Sequence, residues 1–336
     1  MRDLLSIENL SVAFEVGGRW VPVLRRVSLQ IDEGDSVGLV GESGSGKSVM
    51  ALSVLRLLPR AARVIEGRIR FKGQDLLELP ETQMRTIRGG RVGIVFQEPM
   101  TSLNPVFSIG FQVAEAVRAH RPMGSGQARA EAERLLDLVA INPARERLDD
   151  YPHQFSGGQL QRVVLAMALA AEPELLIADE PTSALDVTVQ AEILELLGEL
   201  RSRLGLAVLL ITHDLAVVAE TCSRVSVMYA GQIVETAATR DLFDAPAHPY
   251  TRGLLASIPR LGRPEVRGQL PAIPGQAPAL GDLPSGCSFH PRCGEVMEQC
   301  RVDEPPMARR GTAGKARCFL MDSSTVEKAE IGGEES

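Results

Sequence analysis

The chain has 336 residues, of which 44% are hydrophobic and 24% charged, and its formal net charge is −7. These values are typical of a globular protein and argue against a broad basic surface for nucleic acid. The best apolar run, Val163–Ala171, is far shorter than the roughly 18–20 residues that span a bilayer. The N-terminal residues also lack the pattern of a signal peptide, so we expect a cytosolic protein that reaches a membrane only through a partner.

The first part of the chain predicts several short strands, because apolar and polar residues alternate from residue 4 to residue 40 between turn signals. Within it, Ser36–Val40 is a compact apolar strand that runs into a glycine-rich loop. Met50–Leu58 then predicts a helix that the following proline ends. Further strands are predicted at Arg68–Phe71 and Val92–Phe96.

The middle of the chain changes to helical periodicity, as in Ala114–Ala119 and Gln127–Val139. Strand patterns return at Leu175–Ala178 and Ala207–Thr212, with a helical pattern at Val187–Leu204 between them. This order predicts an α/β fold with a mostly parallel sheet and a helical insertion.

The composition changes after about residue 245. Residues 246–284 contain eight prolines and favour extended segments and turns over another packed layer. Cys222 stands alone and is predicted to be a buried strand or helix residue, whereas the other four cysteines share one segment. A reducing compartment disfavours disulfides, so a metal or cluster site is the leading interpretation of the four. They are Cys287, Cys293, Cys300 and Cys318. Residues 321–336 are predicted to be disordered.

A glycine-rich loop at residues 41–48, GESGSGKS, matches the pattern G-x-x-x-x-G-K-[ST] between a predicted strand and a predicted helix. In such a loop the glycines let backbone N–H groups converge on phosphate oxygens at a helix N-terminus. We expect Lys47 at the β- and γ-phosphates and the Ser48 hydroxyl at Mg²⁺. The predicted nucleotide-binding residues of this loop are Gly41, Ser43, Gly44, Gly46, Lys47, Ser48 and Val49.

Two carboxylates end the predicted buried strand at Leu175–Glu180. Asp179 suits coordination of Mg²⁺, and Glu180 suits polarisation of the water that attacks the γ-phosphate. Such a pair is weak evidence alone, but it is strong evidence beside the glycine-rich loop.

The segment Phe155–Gln159 resembles the signature sequence of ABC ATPases, with Phe155 in place of the usual leucine. It precedes a predicted helix, Leu160–Ala170, and would be a second anion-binding device there. A simple helix cap and turn would also account for the serine and the glycines. The resemblance implies that this string binds ATP through Ser156, Gly157, Gly158 and Gln159.

Other elements of the ABC family follow in order. Gln97 resembles the Q-loop glutamine, which contacts Mg²⁺ and the attacking water. Ser183–Asp186 resembles the D-loop, with Asp186 at the nucleotide, and His213 resembles the switch histidine at the γ-phosphate. The family places an adenine-stacking aromatic on its first strand, where this chain has Phe14. Core packing is the other interpretation of that residue, and Trp20 is the alternative aromatic.

The resemblance implies a P-loop ABC-type ATPase domain at residues 1–245, with an antiparallel β-subdomain and a helical subdomain at about 98–172. In this family two ATPase domains meet head to tail, and each ATP lies between the glycine-rich loop of one and the signature of the other. A second ATPase subunit is therefore expected, and the resemblance favours a related chain over a second copy.

A narrower resemblance rests on Glu98–Pro105 and on His248–Thr251, which are similar to the oligopeptide/dipeptide (and nickel) importer ATPases. It implies a C-terminal extension at residues 246–320, a loop that touches the membrane subunits, two permease subunits and an extracytoplasmic solute-binding protein. The protein would then lie on the cytoplasmic face of the cell membrane and bind no nucleic acid. The alternatives are a nickel importer, an exporter, and a soluble ABC ATPase that acts on DNA or ribosomes.

The same resemblance implies that the four cysteines bind a [4Fe–4S] cluster. Four thiolates suit either an iron–sulfur cluster or Zn²⁺. Their C-x5-C-x6-C-x17-C spacing lacks the tight knuckle of structural zinc sites, which favours the cluster. Zinc, or reduced cysteines in a small core, are the alternatives.

Overall fold

The computed structural model describes residues 3–183, 185–258, 272–279, 281–310 and 314–321. The strands are β1 (Asp3–Val16), β2 (Arg19–Asp32), β3 (Ser36–Val40), β4 (Ala62–Phe71), β5 (Gln74–Asp75), β6 (Val92–Val95), β7 (Leu175–Asp179), β8 (Ala207–Thr212), β9 (Arg224–Tyr229), β10 (Gln232–Ala238), β11 (Ala308–Arg310) and β12 (Gly314–Ala316). The helices are α1 (Lys47–Val54), α2 (Glu81–Ile87), α3 (Pro99–Ser102), α4 (Ile109–His120), α5 (Ser125–Leu138), α6 (Ala144–Arg147), α7 (Gly157–Ala168), α8 (Val187–Leu204), α9 (Leu215–Thr221), α10 (Thr239–Asp244), α11 (Pro249–Ala256) and α12 (Glu298–Val302).

The smaller sheet is antiparallel and has the strand order β2-β1-β4-β5. The prediction of several short strands here was wrong, because β1 and β2 are each 14 residues long. Their pairing shifts register several times, for example between Ile7 and Leu10. Such bulges interrupt the regular alternation of apolar and polar residues, so one bent strand resembles several short ones in the sequence.

The larger sheet has the strand order β11-β12-β10-β9-β3-β8-β7-β6. Strands β6, β7, β8, β3 and β9 are parallel, which confirms the predicted α/β class. Every residue of β3, β7 and β8 is buried, as expected for strands that are covered on both faces. The carboxyl ends of these parallel strands lie at one edge, and the predicted catalytic segments follow them.

The predicted helices are present; α8 has the predicted bounds, and the others have shifted ends. Helices α4, α5 and α7 pack together as the predicted helical insertion. The prediction for the first helix was wrong at both ends, because α1 runs from Lys47 to Val54 instead of from Met50 to Leu58. The glycine-rich loop itself supplies the N-cap, Gly46. The helix stops early because Arg56 adopts a left-handed backbone and its guanidinium binds the carbonyl oxygens of Leu76 and Leu79.

The C-terminal extension packs more closely than its prolines predicted. Pro249 occupies the first turn of α11, where a proline starts a helix instead of breaking it. Strand β12 pairs with β10 through Glu235 and Ala316, so the extension adds two strands to the larger sheet. Cys222 is buried, at the C-cap of α9. The tail that was predicted to be disordered lies outside the described residues from residue 322 onward. No helix in the described ranges is long and apolar enough to cross a bilayer.

Candidate nucleotide-binding site

The glycine-rich loop connects β3 to α1 and depends on its glycines. A Cβ at Gly41 would lie 2.2 Å from the carbonyl oxygen of Met228. At Gly46, where φ is +106°, a Cβ would lie 2.6 Å from Leu24 Cδ2. The close packing against neighbouring strands fixes the loop at the N-terminus of α1, where free N–H groups attract anions.

The side chain of Lys47 lies beneath the loop and is buried. Its ammonium donates hydrogen bonds to the carbonyl oxygens of Gly41 and Glu42 at 2.8 and 3.1 Å. Burial lowers the pKa of Lys47, and the carboxylates of Glu180, Asp179 and Glu42 oppose that shift. The loop thus holds a cation next to the carboxylates that end β7.

The carboxylate of Asp179 has a free oxygen. Burial raises the pKa of Asp179, while a hydrogen bond with Ser48 opposes the shift. Its Oδ1 atom is buried and has no hydrogen-bond partner among the described residues. A carboxylate oxygen and a hydroxyl are ligands that suit Mg²⁺. The two side chains therefore fit the predicted magnesium site.

Two of the predicted catalytic residues lie next to a carboxylate oxygen of the third. Gln97 Nε2 lies 3.3 Å and His213 Nδ1 lies 3.4 Å from Glu180 Oε2. They follow β6 and β8, while Glu180 follows β7, so the parallel sheet brings them together from distant parts of the chain. Glu180 has φ +48°, a left-handed backbone conformation. Such strain persists only where the surrounding structure enforces it, and it is frequent at functional sites.

The signature segment caps α7. Ser156 Oγ accepts a hydrogen bond from the Gln159 N–H at 3.3 Å, and Gln159 Oε1 accepts one from the Ser156 N–H at 3.0 Å. Phe155 is buried, and the Arg147 guanidinium lies 4.1 Å from its ring centre, so the aromatic substitution fills the core. A Cβ at Gly158 would lie 2.4 Å from Val189 Cγ1.

The D-loop and the signature segment lie side by side. Asp186 is the N-cap of α8 and accepts a hydrogen bond from the Val189 N–H at 3.0 Å, and the Val189 side chain faces Gly158. Across the described ranges, no hydrogen bond or ion pair joins residues 156–159 to residues 41–48. Ala184 of the D-loop lies outside the described residues.

The two candidate adenine-stacking residues lie on the smaller sheet. Phe14 is half-buried on β1, pairs with Val21 and packs partly against the core. Trp20 is exposed, and the Arg63 guanidinium lies 3.9 Å from its ring centre. Both the core and the stacking interpretation of Phe14 therefore stay predictions.

Three residues at the loop were not predicted from the sequence. Glu42 occupies a variable position of the loop pattern, where a motif assigns no role. Arg292 forms an ion pair with Glu42 at 2.8 Å, and the hydroxyl of Tyr250 accepts a hydrogen bond from the Glu42 N–H at 2.9 Å. The sequence showed only that Arg292 and Tyr250 both belong to the C-terminal extension, and it gave no pattern that links either residue to Glu42.

The four cysteines of the extension line one narrow cavity, together with His248 and Phe289. We call it the cysteine cavity. None of the four forms a disulfide. Burial raises the pKa of three of these thiols, Cys287, Cys293 and Cys318, the last to about 11. In the part of the chain that the structure describes, no group of three or more His, Cys, Asp or Glu side chains is arranged to hold a metal ion. Thiolates are a donor type that suits an iron–sulfur cluster or Zn²⁺, but the arrangement of the described side chains does not support the predicted metal or cluster site.

Two protein families match the chain, one in its N-terminal part and one in its C-terminal part. The ABC transporter family matches residues 24–183, and the C-terminal region of oligopeptide/dipeptide transporters matches residues 234–300. The chain is 50% identical to a probable peptide ABC transporter ATP-binding protein of Sinorhizobium fredii, over 94% of each chain. It is 46% identical to the dipeptide transport ATP-binding protein DppD of Bacillus subtilis, over 99% of each chain.

Solved structures show the same fold. A dimeric ATP-binding cassette in a post-hydrolysis state, bound to ADP and Pi, has a TM-score of 0.63 and 28% identity, and the match covers 70% of this chain and 99% of that one. CbiO1 of Clostridium perfringens, part of an ABC transporter complex, has a TM-score of 0.64 and 26% identity, with 73% and 92% covered. Together with the site, these matches define an ABC-type ATPase, a class that hydrolyses ATP. Within that class, the chain belongs to the family of peptide ABC transporter ATP-binding proteins.

Proposed function

We propose that this protein is the ATP-hydrolysing subunit of a membrane importer for peptides or related solutes. The observation that carries the proposal is the combination, in one chain, of a converged Gln97–Glu180–His213 centre with the extension typical of peptide transporters. The near full-length similarity to proteins named for peptide and dipeptide transport supports the substrate class. We assign the ATPase domain to residues 1–245, its helical subdomain to 98–172 and the extension to 246–320.

Each converging residue has a proposed task in hydrolysis. Lys47 leaves its carbonyl partners to bind the β- and γ-phosphates. Ser48 and Asp179 would hold Mg²⁺, which would neutralise phosphate charge. Glu180 accepts a proton from the attacking water. Gln97 and His213 orient the Glu180 carboxylate, since both contact its Oε2 atom.

We propose that the active unit contains a second, related ATPase subunit. The resemblance of Phe155–Gln159 to the ABC signature supports this arrangement, because the family places that segment against the ATP of the partner subunit. The dimeric cassette among the similar structures supports it as well.

The loop after Gln97 is the proposed contact with the permease subunits. This loop, Glu98–Pro105, and the residues that follow it into the first turn of α4 expose several apolar side chains, and clusters of this kind mark interaction surfaces. The residues and their exposed fractions are Met100 at 61%, Val106 at 70%, Phe107 at 45% and Phe111 at 48%. A solute-binding protein completes the proposed importer.

Changing Val106 to Asp is expected to prevent capture of permease subunits from solubilised membranes and to reduce peptide uptake by at least about tenfold, because it places a charge in an apolar contact. The measurements are affinity purification of the tagged chain and uptake of labelled di- and oligopeptides in a deletion strain. Val302→Asp is the matched control, since Val302 is 74% exposed on α12 of the extension. Recovery with ribosomes or DNA instead of permeases would contradict the proposal, and uptake of Ni²⁺ alone would favour the nickel importer.

We propose further that the cysteine cavity holds an iron–sulfur cluster. Anaerobically purified protein is expected to contain about four irons per chain and matching sulfide, with broad visible absorption. Cys300→Ser should lose the iron, whereas Cys222→Ser should keep it, because Cys222 does not line the cavity. Zinc without iron would favour the alternative site, and the absence of both metals would favour reduced cysteines.

A further inference from the structure

We propose that Arg292 and Tyr250 of the C-terminal extension position the glycine-rich loop for ATP by holding Glu42. This inference rests on the proposed nucleotide-binding role of that loop. It assigns the extension a part in the ATP site itself, which is separate from any role of the cysteine cavity or of the membrane partners.

The first contact is between side chains. The Nη1 and Nη2 atoms of Arg292 donate to the two carboxylate oxygens of Glu42 at 2.8 and 3.0 Å. A bidentate pair of this kind fixes direction as well as distance. The Arg292 side chain is only 7% exposed, and its Nε atom also donates to the Pro274 carbonyl oxygen at 2.8 Å. The extension therefore holds the guanidinium in one orientation, independently of its contact with the loop.

The second contact is to the backbone. The peptide unit between Gly41 and Glu42 donates its N–H to the Tyr250 hydroxyl at 2.9 Å, and its carbonyl oxygen accepts from Lys47 Nζ at 2.8 Å. One peptide thus links the extension to the lysine that is proposed to bind phosphate. Tyr250 is fully buried, and its ring centre lies 4.6 Å from that of Tyr229 and 5.4 Å from that of Phe289. This aromatic packing leaves the hydroxyl little freedom.

The two contacts act on the same residue, one on the side chain of Glu42 and the other on its backbone N–H. Without them, the Gly41–Glu42 peptide would be held less tightly, and the carbonyl oxygen that accepts from Lys47 Nζ would be less precisely placed. A displaced Lys47 ammonium weakens ATP binding and catalysis, because the groups that contact the phosphates must be held in place beforehand. Arg292 and Tyr250 are accordingly positioning residues, since neither is placed against the phosphates.

The test measures ATP affinity and steady-state hydrolysis on the full chain. Arg292→Ala is expected to raise the Kd and KM for ATP about tenfold, with a smaller change in kcat. Arg292→Lys should recover part of the loss, because it keeps the charge but not the bidentate geometry. Tyr250→Phe keeps the packed ring and removes only the hydroxyl, so it should raise the Kd about threefold with unchanged thermal unfolding.

Coupling between the two partners separates positioning from general stability. Glu42→Gln should weaken ATP binding about as much as Arg292→Ala, and the double variant should be no weaker than either. The matched control is Arg252→Ala, which removes an exposed ion pair with Glu295 at 2.8 Å within the same extension and should bind ATP normally.

Wild-type affinity in both Arg292→Ala and Tyr250→Phe would overturn the inference, as would equal losses in Arg292→Ala and Arg252→Ala. Failure of the unmodified chain to bind ATP would instead refute the proposed function, so the two failures are distinguishable.

Discussion

Replacing Glu180 by Gln is expected to slow ATP turnover at least about 100-fold, because the amide cannot accept a proton from the attacking water. ATP binding should persist, since Lys47 and Ser48 are untouched. The amide has the shape of the carboxylate, and it can still contact Gln97 and His213, which lie 3.3 and 3.4 Å from Glu180 Oε2. Trapped ATP should then stabilise the closed pair of ATPase subunits, and size-exclusion chromatography with ATP should detect that pair.

The matched control is Glu174→Gln. Glu174 lies directly before β7, whereas Glu180 lies directly after it, so both substitutions neutralise a carboxylate at an end of the same strand. Glu174 forms surface ion pairs with Lys72 and Arg91, far from the strand ends that form the site. Near-normal hydrolysis by Glu180→Gln would refute the base assignment. Equal loss in both variants would show that the effect is on the strand and not on proton transfer.

Replacing Lys47 by Ala is expected to weaken ATP binding itself, by about 100-fold, because hydrogen bonds to a charged group in a protected site contribute strongly. The side chain is 5% exposed, so its removal also leaves a space beneath the loop. The carbonyl oxygens of Gly41 and Glu42 lose their donor. The loss should appear in equilibrium titration with ATP, not only in the rate of hydrolysis.

Lys72→Ala provides the comparison for a lysine outside the site. Its ammonium lies 3.2 Å from Glu33 in a surface ion pair, and exposed pairs of this kind contribute little. ATP affinity should therefore stay normal in that variant. An unchanged affinity in Lys47→Ala would contradict the role assigned to the glycine-rich loop.

Much of the hydrolytic centre was predictable because it obeys local rules. A fully apolar strand that ends in polar residues specifies both the strand and the edge at which those residues lie. This pattern identified Asp179 and Glu180, whereas Gln97 and His213 were assigned through the resemblance to ABC ATPases. The structure places Gln97 Nε2 and His213 Nδ1 near Glu180 Oε2, and the catalytic roles of the three residues stay predictions. Helix α8 and strand β8 also have the predicted bounds, since a cap residue and a glycine mark the ends of that helix.

The contacts that were missed are those that tertiary packing alone creates. Arg292 and Glu42 are 250 positions apart, and no sequence pattern around either residue indicates a contact with the other. The role of the extension as part of the larger sheet was missed for a similar reason. β11 and β12 are three residues each, and strands so short become visible only through their pairing with β10.

The pairing of β12 with β10 has a consequence for how the chain can be divided. Composition suggested a boundary near residue 245. The last strand before that boundary, β10, nevertheless pairs on its outer side with β12, for example through Glu235 and Ala316, which lie about 80 positions apart in the chain. Cutting the chain at that boundary would expose a row of unpaired N–H and C=O groups along β10, and a bare strand of this kind is a template for aggregation. The extension therefore covers an edge strand, and an ATPase domain cut at residue 245 would need a redesigned β10 to avoid aggregation through that edge.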